Sequence, residues 1–114
     1  MSPGEIYLAD FAQAGRHPII IVSRENLNRG RYVLAVVCTS ARFATRRRFP
    51  NCVPFRSGQF GLSTDCVAQC ENMLAIEKDD LDLAGGPIGV LDDLAMRGVV
   101  KAIGYVIQSD CEPV

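Results

Sequence analysis

The chain's one histidine, His17, follows Arg16 and stands directly before Pro18, at the entry to the apolar run Ile19-Ile20-Ile21-Val22. Two hydroxyls, Thr39 and Ser40, close a second apolar run, and a carboxylate, Glu71, lies within a third. Side chains at strand ends have rigid bases, while the adjoining loops admit a substrate. The combination suits cleavage of a phosphodiester without a metal. A base removes the 2′-hydroxyl proton, an acid protonates the leaving oxygen, and cationic donors hold the phosphorane. Histidine titrates near neutrality and fits either proton role. Spacing alone leaves structural alternatives open: a histidine set in the fold, hydroxyls closing strand-end hydrogen bonds, and Glu71 paired with an arginine.

Net charge is −1, but the total conceals a split. Residues 1–56 carry nine arginines against three acids, whereas residues 57–114 carry three basic residues against ten acids. Every basic residue of the first half is arginine, whose planar fork grips phosphate at two points and stacks on bases. The densest stretch, Arg42 with Arg46-Arg47-Arg48, follows closely on Thr39-Ser40. The implied partner is a polyanion, RNA above all. Pairing between the two halves is the competing account.

At 114 residues, 48% of them apolar, the chain is expected to form a single domain over 1–114 with an ordinary core. No apolar run approaches the ~18 residues of a membrane span. Met1-Ser2-Pro3-Gly4-Glu5 lacks the basic and apolar regions of a signal peptide, so the expectation is a cytoplasmic protein that engages no membrane. Five cysteines, an odd number with no CxxC pair, fit a reducing compartment. Cys38, Cys66 and Cys70 lie in strand-like stretches, where reduced cysteine acts as a small hydrophobe. His17, Cys52, Cys66 and Cys70 do not make the two tight ligand pairs of a structural zinc site, and no metal or other cofactor is expected.

Turn residues and apolar periodicity place the elements. Strands are expected at 6–11, 18–22, 32–38 and 52–55, and from 65 to 69, continuing or bending past Glu71 to Ile76. Pro18 is expected at the start of its strand, where no ladder donor is needed, and Pro54 marks an edge strand. Residues 12–17 read as a tight connection, Ser23 as the N-cap of a short helical turn, 41–48 as an exposed loop and 77–81 as another turn. Helical spacing of Leu91, Leu94, Ala95, Val99, Ala102, Ile103 and Val106 gives a terminal helix over 92–107, with a frayed tail after Gln108. The sum is a mainly β fold with a C-terminal α-helix across a bent sheet or partly open barrel.

The string Gly4-Glu5-Ile6-Tyr7-Leu8-Ala9-Asp10-Phe11 resembles the opening strand of MazF/PemK-type toxins, small ribonucleases of type II toxin–antitoxin pairs. The likeness continues through Ala14-Gly15-Arg16-His17-Pro18 and its apolar run to Ser23, and through Val36-Val37-Cys38-Thr39-Ser40. It extends over Phe49-Pro50-Asn51-Cys52-Val53-Pro54-Phe55, residues 61–72, and Ile88-Gly89-Val90-Leu91-Asp92 with the helix that follows. These blocks, in this order, cover most of the chain. The resemblance implies an SH3-like small barrel of the CcdB/MazF-like kind. It also implies a homodimer with single-stranded RNA across its groove, and metal-independent cleavage to a 2′,3′-cyclic phosphate. Catalytic places fall to His17, Thr39, Glu71 and Arg16, with Ser40, Arg42, Arg46, Arg47, Arg48 and Gln69 expected along the RNA. A cognate antitoxin, through an acidic and partly disordered segment, is expected to compete for the basic groove.

The chain departs from the family pattern at several of these places. The family usually has arginine directly before the proline, where this chain has His17. Arg16, one step earlier, points to the opposite face of a strand in the usual register. Gln69, two residues before the acid, and Leu74, three after it, stand where members carry basic residues. The first loop is also shorter. Three functions therefore compete. An active endoribonuclease leads, ahead of a member that binds RNA or antitoxin without cutting, and of a protein-binding toxin acting like a gyrase poison on the same fold.

Overall fold

The computed structural model describes residues 1–108, and the tail expected to fray after Gln108 lies outside the described residues. Runs rich in β-branched residues extend as strands β1 (Glu5–Asp10), β2 (Arg16–Ile21), β3 (Tyr32–Thr39), β4 (Cys52–Phe55), β5 (Cys66–Glu77) and β6 (Gly89–Val90). A one-turn helix, α1 (Phe43–Arg46), and a terminal helix, α2 (Asp93–Val106), join them, with 3-10 turns at Ala12–Ala14, Glu25–Leu27, Gln59–Gly61 and Lys78–Asp80. The strands form one antiparallel sheet in the order β4-β5-β3-β2-β1-β6. Pro54 lies on the edge strand β4, as expected. No described helix is long and apolar enough to cross a membrane.

Strand β5 gives the sheet its curl. Its Val67, Ala68 and Gln69 pair with Thr39, Cys38 and Val37, and its later part, Met73 to Glu77, pairs with Val36 back to Tyr32. Cys70, Glu71 and Asn72 have no partner on β3, and this bulge bends the strand. Past it the chain turns at Lys78–Asp80 and returns to β1. There Leu81 bridges Ala9, and the Asp82 N–H donates to the Leu8 carbonyl at 2.9 Å. The sheet thus becomes a half-barrel, whose concave face buries Tyr7, Ala9, Ile19, Ile21, Val33, Ala35, Val37, Ile76 and Leu81. Alternate residues of the same strands, among them Ile6, Ile20, Val36 and Cys38, face a second core with Ala68, Cys70 and the α2 residues Val99 and Ala102. The two-residue period of a strand feeds both cores.

Three local expectations are corrected. Strand β2 begins two residues before Pro18, so the proline sits inside it. Ser23 caps nothing: the turn Glu25–Leu27 has Arg24 at its N-cap and no side-chain bond there. Ser23 Oγ instead accepts from the Leu34 N–H at 3.0 Å and donates to Asn28, which is 4% exposed and donates in turn to the Met1 and Ser23 carbonyls. Leu94 is 78% exposed, because α2 turns Ala95, Val99 and Ala102 to the sheet and residue 94 lies roughly 100° round the helix from 95. Asp92 does cap α2, its Oδ1 accepting from the Ala95 N–H at 2.8 Å.

Two buried groups make the fold sensitive to alkali. Tyr7 donates to Glu5 Oε1 at 2.8 Å, and burial, followed by that bond and the Glu5 charge, pushes its hydroxyl from 10.0 up to about 12. Burial, then the charges of Cys52 and Glu71, pushes the Cys70 thiol from 9.0 up to about 12. In both cases the unfolded chain ionises first. Their stability is fully present below pH 9.0 and is lost as pH rises toward about 12. The denaturant midpoint is expected to fall over that window, and to fall less in Tyr7→Phe; equal losses in the two proteins would exclude Tyr7 as a source.

Candidate functional site

Pro18 shapes one end of the site by what it lacks. The Leu8 carbonyl, on the residue paired with Pro18, accepts from Asp82 and so points away from β2. The Pro18 nitrogen therefore faces β3. On β3 the Leu34 carbonyl accepts from the Val22 N–H at 2.9 Å, and the carbonyl of like parity at Cys38 stands opposite Pro18, one step beyond the Ile19–Val37 pair. Proline offers it no N–H. His17 fills the gap, with Nδ1 at 3.1 Å from the Cys38 oxygen. Its Nε2 lies 2.9 Å from the Ala14 carbonyl. Both acceptors are carbonyl oxygens, so both contacts are hydrogen bonds only when both ring nitrogens carry hydrogen. The Phe11 ring lies 5.9 Å away, centroid to centroid. His17 ties the β1–β2 turn to the end of β3.

Continuing the β2–β3 register brings Thr39 opposite His17. Thr39 is 8% exposed, and its Oγ1 accepts from the Ala41 N–H at 3.2 Å, turning the chain into the basic loop at the exposed Ser40. Gln69 pairs with Val37 and shares its face, two residues along β5 from Val67, the partner of Thr39. Arg16 faces the other way, as the register argument expects, and its Nη2 donates to Asp82 Oδ2 at 3.0 Å. Both side chains are about half exposed, and such surface pairs contribute little.

The ion pairs decide how much of the charge split is spent inside the molecule. Arg16–Asp82, Arg31–Glu77 and Arg56–Asp65 each join a first-half arginine to a second-half acid. Arg42, Arg46, Arg47 and Arg48 are in no ion pair among the described residues. Arg46 donates only to the Ala41 carbonyl, at 3.3 Å, and the other three are exposed. The loop beside Thr39 keeps its positive charge.

Glu71 stands apart from that end. It lies in the bulge, four residues along β5 from Val67, a separation of roughly 13 Å in extended chain. Its Oε1 accepts from Asn51 Nδ2 at 2.9 Å, and the pair borders a surface pocket of about 470 Å³ with Tyr105, Val106 and Gln108. Among the described residues no hydrogen bond or ion pair joins Glu71 to Arg16, His17 or Thr39. Burial and then Glu71 push the Cys52 thiol up, while Arg46 pulls it down.

Phe43 of the loop and Arg56 just beyond β4, neither of them an expected site residue, also shape this surface. The Phe43 ring carries the Arg56 guanidinium carbon 5.1 Å from its centroid and that of Arg47 at 5.9 Å. Arg56 is held in turn by Asp65 Oδ2 at 3.1 Å. The Ser57 N–H, then Arg56, keep the Asp65 carboxyl below its ordinary 3.8. The signal in the sequence was an aromatic residue set among arginines.

The model of one family, PemK-like, MazF-like toxins of type II toxin–antitoxin systems, matches residues 2–107. No protein of curated function matches the sequence. Among solved structures, the chain is similar to an endoribonuclease from Mycobacterial species in complex with its cognate antitoxin, with TM-score 0.77 and 24% identity over 99% of each chain. It is similar to the Mycobacterium tuberculosis toxin MazF-mt6, with TM-score 0.74 and 26% identity over 91% of this chain and 96% of that one. A MazE–MazF structure from Deinococcus radiodurans gives TM-score 0.71 at 15% identity over 94% of each chain, a likeness of fold alone. The half-barrel with its C-terminal helix is thus the MazF fold, and the chain belongs to the PemK-like, MazF-like toxins of type II toxin–antitoxin systems.

Proposed function

We propose that this toxin is a cytoplasmic endoribonuclease that cuts single-stranded RNA by attack of a 2′-hydroxyl on its own phosphodiester, leaving a 2′,3′-cyclic phosphate. The observation that carries the reading is the end of the sheet where His17 and Thr39 lie opposite each other and the chain runs on into a loop of four arginines that are in no ion pair among the described residues. Arg42, Arg46, Arg47 and Arg48 hold the phosphates, with Ser40 and Gln69 lining the path. Arg16 exchanges its exposed contact with Asp82 for the anion. His17 serves the proton transfers or stabilises the phosphorane, and Thr39 orients the scissile group. Glu71, held by Asn51 on the bulge, orients the strand farther along.

The family match supports the reading, as does the name of the similar structure at 26% identity, the toxin MazF-mt6. The toxin works as a homodimer, and an acidic antitoxin segment neutralises it by covering the basic loop. One observation favours the second reading, a toxin that binds RNA without cutting. Both His17 nitrogens face carbonyl oxygens, which leaves neither turned to a substrate in this state.

RNA binding is tested through salt. Each single-strand phosphate contact contributes about 0.7 to the slope of log K against log salt. The triple variant Arg46→Ala/Arg47→Ala/Arg48→Ala is expected to lower that slope by about 2. An unchanged slope would place the RNA elsewhere.

A further inference from the structure

Helix α1 sits on a connected set of side chains that the RNA-cutting chemistry does not require. Arg42 enters it in the left-handed region, at φ 54°, a conformation costly for a side chain of this size. That entry is followed at once by half-buried Phe43. The Ser57 N–H donates to Asp65, Asp65 holds Arg56, and the Arg56 and Arg47 guanidiniums lie 5.1 and 5.9 Å from the Phe43 ring centroid. The end of β4, the start of β5 and α1 are thereby locked together. Only Arg56 of the two cations is neutralised; Arg47 is exposed and in no ion pair among the described residues. Two residues on, Phe49 is 47% exposed, and its N–H donates to the Arg46 carbonyl at 3.0 Å, closing the turn. An exposed aromatic is poorly placed for stability, but it is suited to a ligand with a flat face.

We propose that Arg47 and Phe49 form a stacking subsite for unpaired bases of single-stranded RNA, with Phe43 and Arg56 as the residues that position Arg47. The proposal rests on the RNA-binding reading above and adds to it a contact with bases rather than phosphates. A guanidinium plane held in place and an exposed ring each offer a surface on which an unstacked base lies. Stacking of this kind tolerates any base, since every base has a flat face. Residue 43 follows Thr39 by four positions, so α1 begins at most about 14 Å from the strand-end hydroxyl along the chain. A strand lying across Thr39 reaches it.

The test compares binding of a single-stranded RNA with binding of an abasic ribose–phosphate strand of equal length. Wild type is expected to bind the RNA at least about fivefold more tightly, the low end of what one stacked base contributes. Phe49→Ala removes most of that preference and leaves binding of the abasic strand and its salt slope unchanged, because no charge is lost; Arg47→Lys removes most of the preference too, read as the ratio of the two affinities because this residue also holds phosphate. Phe43→Leu has the same effect at unaltered charge, and melting curves check that it folds. Arg47→Lys, on the surface, keeps the test independent of folding. Equal affinity of wild type for the two strands, or variants that weaken both equally, overturns the stacking subsite while RNA binding stands. Wild type binding neither strand overturns both.

Discussion

Gly89→Ala is expected to lose at least about 4 kcal/mol of stability, enough to unfold a domain of ordinary stability. A Cβ at Gly89 would lie 1.7 Å from the Phe60 carbonyl oxygen, and one at Gly61 would lie 1.9 Å from that of Ile88. Both collisions are with backbone, so no rotamer relieves them. Gly61 also has φ +80°, where a side chain is strained in any case. This mutual approach presses the turn Gln59–Gly61 against β6. That strand is held to β1 by the Glu5–Val90 and Ile6–Gly89 pairs and by the Leu91 N–H, which donates to the Gly4 carbonyl at 2.9 Å. Parting the two segments would draw buried Leu62 and Leu91 out of the core beneath α2. Gly58→Ala is the control. Its φ is +92° but nothing lies within 4 Å of a Cβ there, so only backbone strain of about 1–2 kcal/mol is expected. Equal denaturation midpoints for the two variants would contradict the close-approach account.

His17→Ala is expected to lower RNA cleavage by about 10²–10⁴-fold, the usual contribution of a placed proton-transfer group. It should also cost about 1–3 kcal/mol, because the buried Cys38 carbonyl loses its donor. The two losses separate in a double variant. Pro18→Ala returns a backbone N–H opposite Cys38, so His17→Ala/Pro18→Ala recovers stability, by about 1 kcal/mol, without recovering cleavage. If the double variant regains both, His17 acts through the fold. Equal cleavage by wild type and His17→Ala removes it from the chemistry altogether.

The fold was legible where local rules and tertiary structure agree. β-branched runs, the edge proline Pro54 and the apolar stripe of the terminal helix each gave an element in its place. Pro18 was misplaced because a proline within a strand needs another group to serve the facing carbonyl, and His17 supplies one from the neighbouring position. Ser23 was read as a cap because its partner Asn28 is recognisable only once the chain has turned back on it. The two-residue strand β6 has too little sequence to carry a period, and its place depends on glycines meeting across a gap that no window of sequence spans. At the site, the strand ends told where His17, Thr39 and Ser40 lie, and the strand period told that Arg16 turns away from them. They did not tell which arginines would be neutralised, since Arg16, Arg31 and Arg56 find acids in the other half of the chain. Glu71 was expected at a bend and lies at one. The bend gives it Asn51 as a neighbour rather than the histidine.

Incubating the purified protein with mixed-sequence RNA in EDTA, and mapping the ends of the products, tests the central claim most directly. Cuts are expected in single-stranded regions, with a 2′,3′-cyclic phosphate on one fragment and a 5′-hydroxyl on the other. RNA that is bound but remains intact, or cuts that need a divalent ion and leave 5′-phosphates, would contradict it.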